Sequence, residues 1–233
     1  MGEKVSASGR DSLAFGYNYG TNASIGAVSN GSFAHGYAYG ANSFIVSYYS
    51  GSEAFGYAQG QSSYIYGGGN GAFAHGFTSA ANSYINAAES GASAFGHAGA
   101  QGSYIKASGS GSFAYGYTNK GSTSSIESTG YGSTAFGYAR GTSSYIKSNG
   151  YGALAHGLSN EVTSYIYADG YGSEAFGFTK GTSSYIKTGV DAAVAFGYTD
   201  KLNSYILATA SGSEAFGYVD ASNGYIKTAG NGS

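Results

Sequence analysis

The chain has 233 residues, a net charge of −2 and only 10 Lys plus Arg, so it carries no basic footprint for a phosphate backbone and nucleic acid is not an expected partner. Charged residues make up 9%, against about a quarter in ordinary globular proteins, whereas Gly contributes 42 residues and Tyr 25. Pro and Cys are absent, which leaves no disulfide framework, and no apolar run approaches the roughly 20 residues that span a bilayer, so no membrane insertion of this segment is expected.

Taken in chain order, Val5-Ser6-Ala7-Ser8-Gly9 matches the later Ile105-Lys106-Ala107-Ser108-Gly109, so the chain opens in mid-unit. Ala14-Phe15-Gly16 then starts a series whose Ala recurs at Ala34, Ala54, Ala74, Ala94, Ala114, Ala135, Ala155, Ala175, Ala195 and Ala215. The spacing is 20 with one exception, 21 between Ala114 and Ala135, and Ile126 confines the extra residue to Thr118 through Ser125. The chain stops at Gly230-Asn231-Gly232-Ser233, just before the next expected Ala, and no polar capping unit stands at either end. A fixed period of this size marks a solenoid or fibre in which each unit buries its apolar side against its neighbours. Residues 1–233 are therefore expected to form a single β-solenoid repeat domain, an uncapped piece of a longer fibrous protein.

Each unit reads Gly-Ser-x-Ala-Phe-Gly-Tyr, a polar turn, Ser-Tyr-Ile-x, and a second Gly-rich turn. Period-two alternation, β-branched and aromatic content, and Gly/Ser/Asn punctuation predict two short strands per unit and no helix. The expected fold is all-β, a parallel β-roll or β-solenoid of about eleven 20-residue rungs. Alternation sorts the faces. Ser52, Ala54 and Gly56 share one side of the first strand and Glu53, Phe55 and Tyr57 the other; Ser63 and Ile65 oppose Tyr64 and Tyr66 in the second. The small residues should line a thin interior, with Ile filling the space that Gly leaves.

The outer side of the first strand then carries Phe15, Tyr17, Phe33, Phe55, Tyr57, Phe73, Phe95, Phe113, Phe136, Tyr138, Phe176, Phe196 and Phe216. At about 4.8 Å per rung such a wall runs about 50 Å, far more apolar surface than soluble monomers leave open. These residues are the expected oligomer interface. Bulk is traded between neighbouring columns, Phe33 preceding His35 and Phe73 preceding His75, whereas Glu53, Glu174 and Glu214 each precede a Phe. The outer side of the second strand is mixed, with Tyr next to Lys at Tyr104-Ile105-Lys106 and Tyr145-Ile146-Lys147. Its column of Tyr64, Tyr84, Tyr104, Tyr145, Tyr165, Tyr185, Tyr205 and Tyr225 is the expected ligand-binding face.

No sequence motif for catalysis stands out, and no metal or other cofactor is expected. His35, His75 and His156 share a column but lie at least two rungs apart within one chain, about 10 Å, too far to hold one zinc. Glu53, Glu174 and Glu214 share an outward column; Glu174 and Glu214 stand two rungs apart, near the upper limit for an inverting glycosidase pair, but isolated acids on a solenoid are usually solvated or discourage lateral aggregation.

At Ser32-Phe33-Ala34-His35-Gly36 and Gly111-Ser112-Phe113-Ala114-Tyr115-Gly116 the chain resembles the Ser-x-Ala-x-Gly head repeats of trimeric autotransporter adhesins, which also occur in bacteriophage tail fibres. The resemblance implies a parallel β-roll, three chains side by side as a homotrimer, and attachment to a host-cell surface glycan or protein. It places the protein outside the cell, on a bacterial surface or a phage virion tail. The longer unit and the abundance of Tyr depart from that pattern. A second expectation, from identical columns, low charge and absent Pro, is a self-assembling β-fibril of an extracellular filament.

Overall fold

The computed structural model describes residues 4–232, and these form a β-solenoid of about eleven turns. Four-residue strands such as Tyr64–Gly67 alternate with six-residue strands such as Glu53–Ala58. The four-residue strands build one parallel sheet of 12, the six-residue strands a second of 11. Every strand pairs with its equivalent one rung away, in register: Ala54 opposite Ala74, Gly56 opposite Gly76, Ile65 opposite Ile85. Because register matches sequence period, each column of the repeat becomes a physical ladder along the axis.

The interior is as thin as the small residues predict. Ile25, Ile45, Ile65, Ile85, Ile105, Ile126, Ile146, Ile166, Ile186 and Ile206 are fully buried, and Ala fills most of the remaining apolar lining. Ile occupies the space beneath the glycine of the facing strand. A Cβ on Gly116 would lie 2.7 Å from Cδ1 of Ile126 and 2.0 Å from the carbonyl oxygen of Gly137, with φ at +147°. Both the close approach and the backbone conformation demand glycine.

Corners are held from inside by serine. Ser43 donates to the carbonyl of Gly40 at 2.7 Å, Ser103 to Ala100 at 2.7 Å, and Ser133 and Ser173 to Gly130 and Gly170 at 2.8 Å each. These buried hydroxyls close their own turns, which removes the cost of an unpaired polar group in a dry core. Others meet across the core edge, Ser128 with Ser133 at 2.6 Å and Ser159 with Ser164 at 2.9 Å.

Each turn also contains a residue in the left-handed region. One corner uses mostly Gly, the other mostly Asn, Ser or Thr, including Thr123 at φ 61° and Thr163 at φ 54°. The reversal aims the N–H back along the axis: Thr163 donates to Thr142 at 2.9 Å, and Gly51 to Asn30 at 3.0 Å. Rungs are thereby stitched at their corners as well as through their sheets, and this connection holds β-branched residues in a conformation they rarely adopt.

The single 21-residue spacing resolves at Lys120. Asn119 keeps its ladder bond to Ala139, Thr123 bonds back to Gln101, and Lys120, at φ 71°, is the residue accommodated between them. Its N–H turns to the Asn119 side chain at 2.7 Å. The bulge leaves both neighbouring strands in register.

Candidate functional site

Two outer faces carry the large side chains. On the six-residue sheet, Phe55, Phe95, Phe136 and Phe176 point away from the core and are half-buried by their neighbours, while Phe15, Phe113, Phe196 and Phe216 are exposed on the single chain. Tyr17 is exposed, and Phe33, Tyr57, Phe73 and Tyr138 are half-buried on the same face. Histidines take part as rings: Phe15 stacks on His35 at 4.0 Å, His35 lies 4.8 Å from Phe55, and Phe136 stacks on His156 at 3.8 Å. Bulk alternates between columns because rings reach diagonally across rungs, as in Phe73 against Phe95 at 5.1 Å and Phe95 against Phe113 at 5.4 Å. Desolvation lowers the pKa of His75, His97 and His156, consistent with neutral rings in an apolar wall. A groove of 680 Å³ opens in this wall among His156, Leu158, Phe176, Val194, Phe196 and Phe216.

The opposite face is built differently. From Phe44 through Tyr64, Tyr84 and Tyr104 the rings stack in parallel at 4.7 to 4.8 Å, within 5° of coplanar. A second run joins Tyr145, Tyr165, Tyr185 and Tyr205 at 4.7 to 4.9 Å and ends on Tyr225, at 5.2 Å from Tyr205. Ring spacing equals strand spacing, so the ladder follows directly from register. Within each run every Tyr face is covered by the next Tyr, and the cover is missing between Tyr104 and Tyr145, where Ser125 stands. What the ladder offers a ligand is a row of ring edges and hydroxyls rather than open faces. Burial raises the hydroxyl pKa along the stack, to about 12 at Tyr145; at Tyr104 burial acts first and the Glu127 carboxylate adds to it.

Charge sits beside both faces as pairs that cross rungs. Glu127 lies 3.2 Å from Lys147 and 4.0 Å from Lys106. Asp200 lies between Lys180 at 3.0 Å and Lys201 at 3.3 Å, and Lys201 reaches Asp220 at 3.4 Å. Except for Asp200–Lys201, which lies within one corner, these pairs join neighbouring rungs at the surface, where solvent screens them.

No protein-family model and no curated protein matches this chain. Its chemistry is therefore read from the faces alone. Among the described residues no group of three or more His, Cys, Asp or Glu could hold a metal ion. Glu53, Glu174 and Glu214 stand at the first position of their strands on the wall face, each in a different rung.

Three features lie beyond the sequence reading. Tyr131, Tyr151 and Tyr171 form a third stack at 5.0 and 4.9 Å along one corner, which their common Gly-Tyr-Gly context would have signalled. The inner hydroxyl network was hidden because Ser columns read simply as small. The long Tyr column also breaks at Ser125, a gap visible in sequence only when the columns are aligned.

Proposed function

We propose that this chain is the shaft or head of a fibrous attachment protein, a cell-surface adhesin or a phage tail fibre, with several copies, three by resemblance, associated side by side. The observation that carries this reading is the aromatic wall. Eleven rungs present Phe, Tyr and His outward on one sheet, and on a single chain Phe196 and Phe216 remain 51% exposed. A contiguous apolar strip about 50 Å long is what an interface between copies supplies and what an isolated soluble surface avoids. Rung-by-rung stacking also makes a stiff body that holds a binding face away from its anchor, the mechanical task of a fibre. The Tyr and Lys face then remains for the surface to which the fibre attaches, a glycan or a protein.

Electron microscopy and a cell-retention assay test the proposal together. Short rods of uniform length that adhere to target cells support it, with adhesion lost when Tyr64, Tyr84 and Tyr165 are replaced by Ser while circular dichroism stays β-rich. Open-ended filaments would favour the self-assembling fibril instead, and rods that adhere equally well after the three replacements would remove this face from the account.

A further inference from the structure

Ser125 is the one place among the described residues where the tyrosine ladder is interrupted between two tyrosines. Its register partners are Tyr104 on one side and Tyr145 on the other. Everywhere else along the two runs, consecutive tyrosine rings lie 4.7 to 5.2 Å apart and nearly parallel. Across Ser125 the two flanking rings are separated by two rungs, about 9.6 Å, and a cleft of 310 Å³ opens there, lined by Tyr104, Ser125, Glu127, Tyr145, Lys147 and Tyr167.

The thickness of this cleft is set by the ladder itself. One step accommodates one flat six-membered ring, so a gap of two steps is the space of a single missing ring. A puckered ring such as a pyranose is thicker than the tyrosine it would replace. The gap is also braced. Glu127, in the Ser125 rung, pairs with Lys106 and Lys147 in the rungs on either side, so the same three rungs that form the cleft are tied by charge along its edge. Tyr167 borders it further on, its hydroxyl donating to Asp169 at 2.7 Å. The rung that lacks its tyrosine is also the rung that contains the Lys120 bulge, so two departures from the repeat coincide in one turn of the solenoid.

We propose that this cleft is a binding slot for one planar aromatic ring of phenol size, sandwiched between Tyr104 and Tyr145 with its polar edge toward the Lys106–Glu127–Lys147 cluster. The slot deepens the attachment reading by naming the chemistry one point of the ladder recognises. It rests on that reading only for the source of the ring, because the geometry is complete within one chain.

The test is a fluorine NMR titration of the full chain with 4-fluorophenol. Saturable binding of one ligand per chain is expected, reduced at least tenfold in Ser125→Tyr, which fills the gap with the residue used by the neighbouring rungs and should fold as they do. Unlabelled phenol should compete, while cyclohexanol and methyl glucoside, of similar size but puckered, should not. Competition by N-acetyltyrosinamide as strong as that by phenol would support an aromatic side chain as occupant; competition by phenol alone would support a free small aromatic. Absence of saturable binding, undiminished binding to Ser125→Tyr, or equal competition by the puckered rings would overturn the slot. Failure of the fibre reading shows separately, as a stable monomer or as loss of cell retention with slot binding intact.

Discussion

The two outer faces share one period and one register, yet their rings behave differently. On the ladder face a single column of nearly uniform Tyr stacks within 5° of coplanar from Phe44 to Tyr104 and from Tyr145 to Tyr205. On the wall, three crowded columns mix Phe, His, Tyr and Glu, and ring pairs range from 3° between Phe178 and Tyr198 to 89° between Phe73 and His75. Register alone aligns rings that have room. Where neighbouring columns compete for the same space, each ring turns to suit its diagonal partner, and the result is an uneven surface with a groove, suited to interdigitating with another uneven surface. Within each run the ladder covers its own ring faces, with a gap at Ser125; the wall covers some faces, as between Phe136 and His156, and leaves Phe196 and Phe216 exposed.

Both faces depend on the thin core between them, so the largest effects come from thickening or hollowing it. Gly116→Ala should destabilise by about 3 kcal/mol or more, through left-handed strain and a Cβ driven onto the Gly137 carbonyl. Urea unfolding would read this as a lower midpoint, and an unchanged midpoint would contradict the close approach of Gly to Ile. Ile105→Ala, which empties the one large position of its rung, should cost about 2 to 5 kcal/mol, with loss of amide exchange protection in the rungs on either side.

Smaller changes separate the faces. Tyr165→Ala on the ladder removes two ring pairs, each contributing about 0.2 to 1 kcal/mol; it should lower stability modestly and leave the oligomeric mass unchanged. A shift in mass would mean that the ladder, too, joins copies. Mild acid should act on the wall instead. The folded pKa of His75, His97 and His156 lies below the ordinary value near 6.5 because burial disfavours the charged ring. Unfolded histidine therefore takes up protons first as pH falls through about 6.5, and stability should decline from there downward. Replacing all three by Phe should flatten that decline. If acid weakens the triple variant as strongly as the parent, the wall histidines are not its cause.

Much of this architecture was legible because the repeat carries its own register: once Ala, Gly and Ile recur at fixed positions, the inside and outside of each strand follow from alternation. The inward Ala54 and Ile65 and the outward Phe55 and Tyr64 stand where that logic places them. Less legible was how rings settle once placed. The Tyr column is the expected ligand-binding face, but stacking at 4.7 to 4.8 Å covers its ring faces, because each neighbour is the nearest available aromatic surface. Equally hidden was the role of Ser43 and Ser103, whose hydroxyls close turns from inside; in sequence a small residue and a hydrogen-bonding one look alike. The bulge could be confined to eight positions but not fixed at Lys120, since several residues of that turn satisfy the same count.

The central claim is that the aromatic wall is covered by other copies of the chain, and its most direct test is the mass in solution by light scattering at micromolar concentration. The account predicts a discrete multiple of the 23.5 kDa chain, falling toward the single-chain mass when Phe95 and Phe136 are both replaced by Ser while the β-rich circular dichroism persists. A parent chain that stays soluble, folded and monomeric across that range would contradict it.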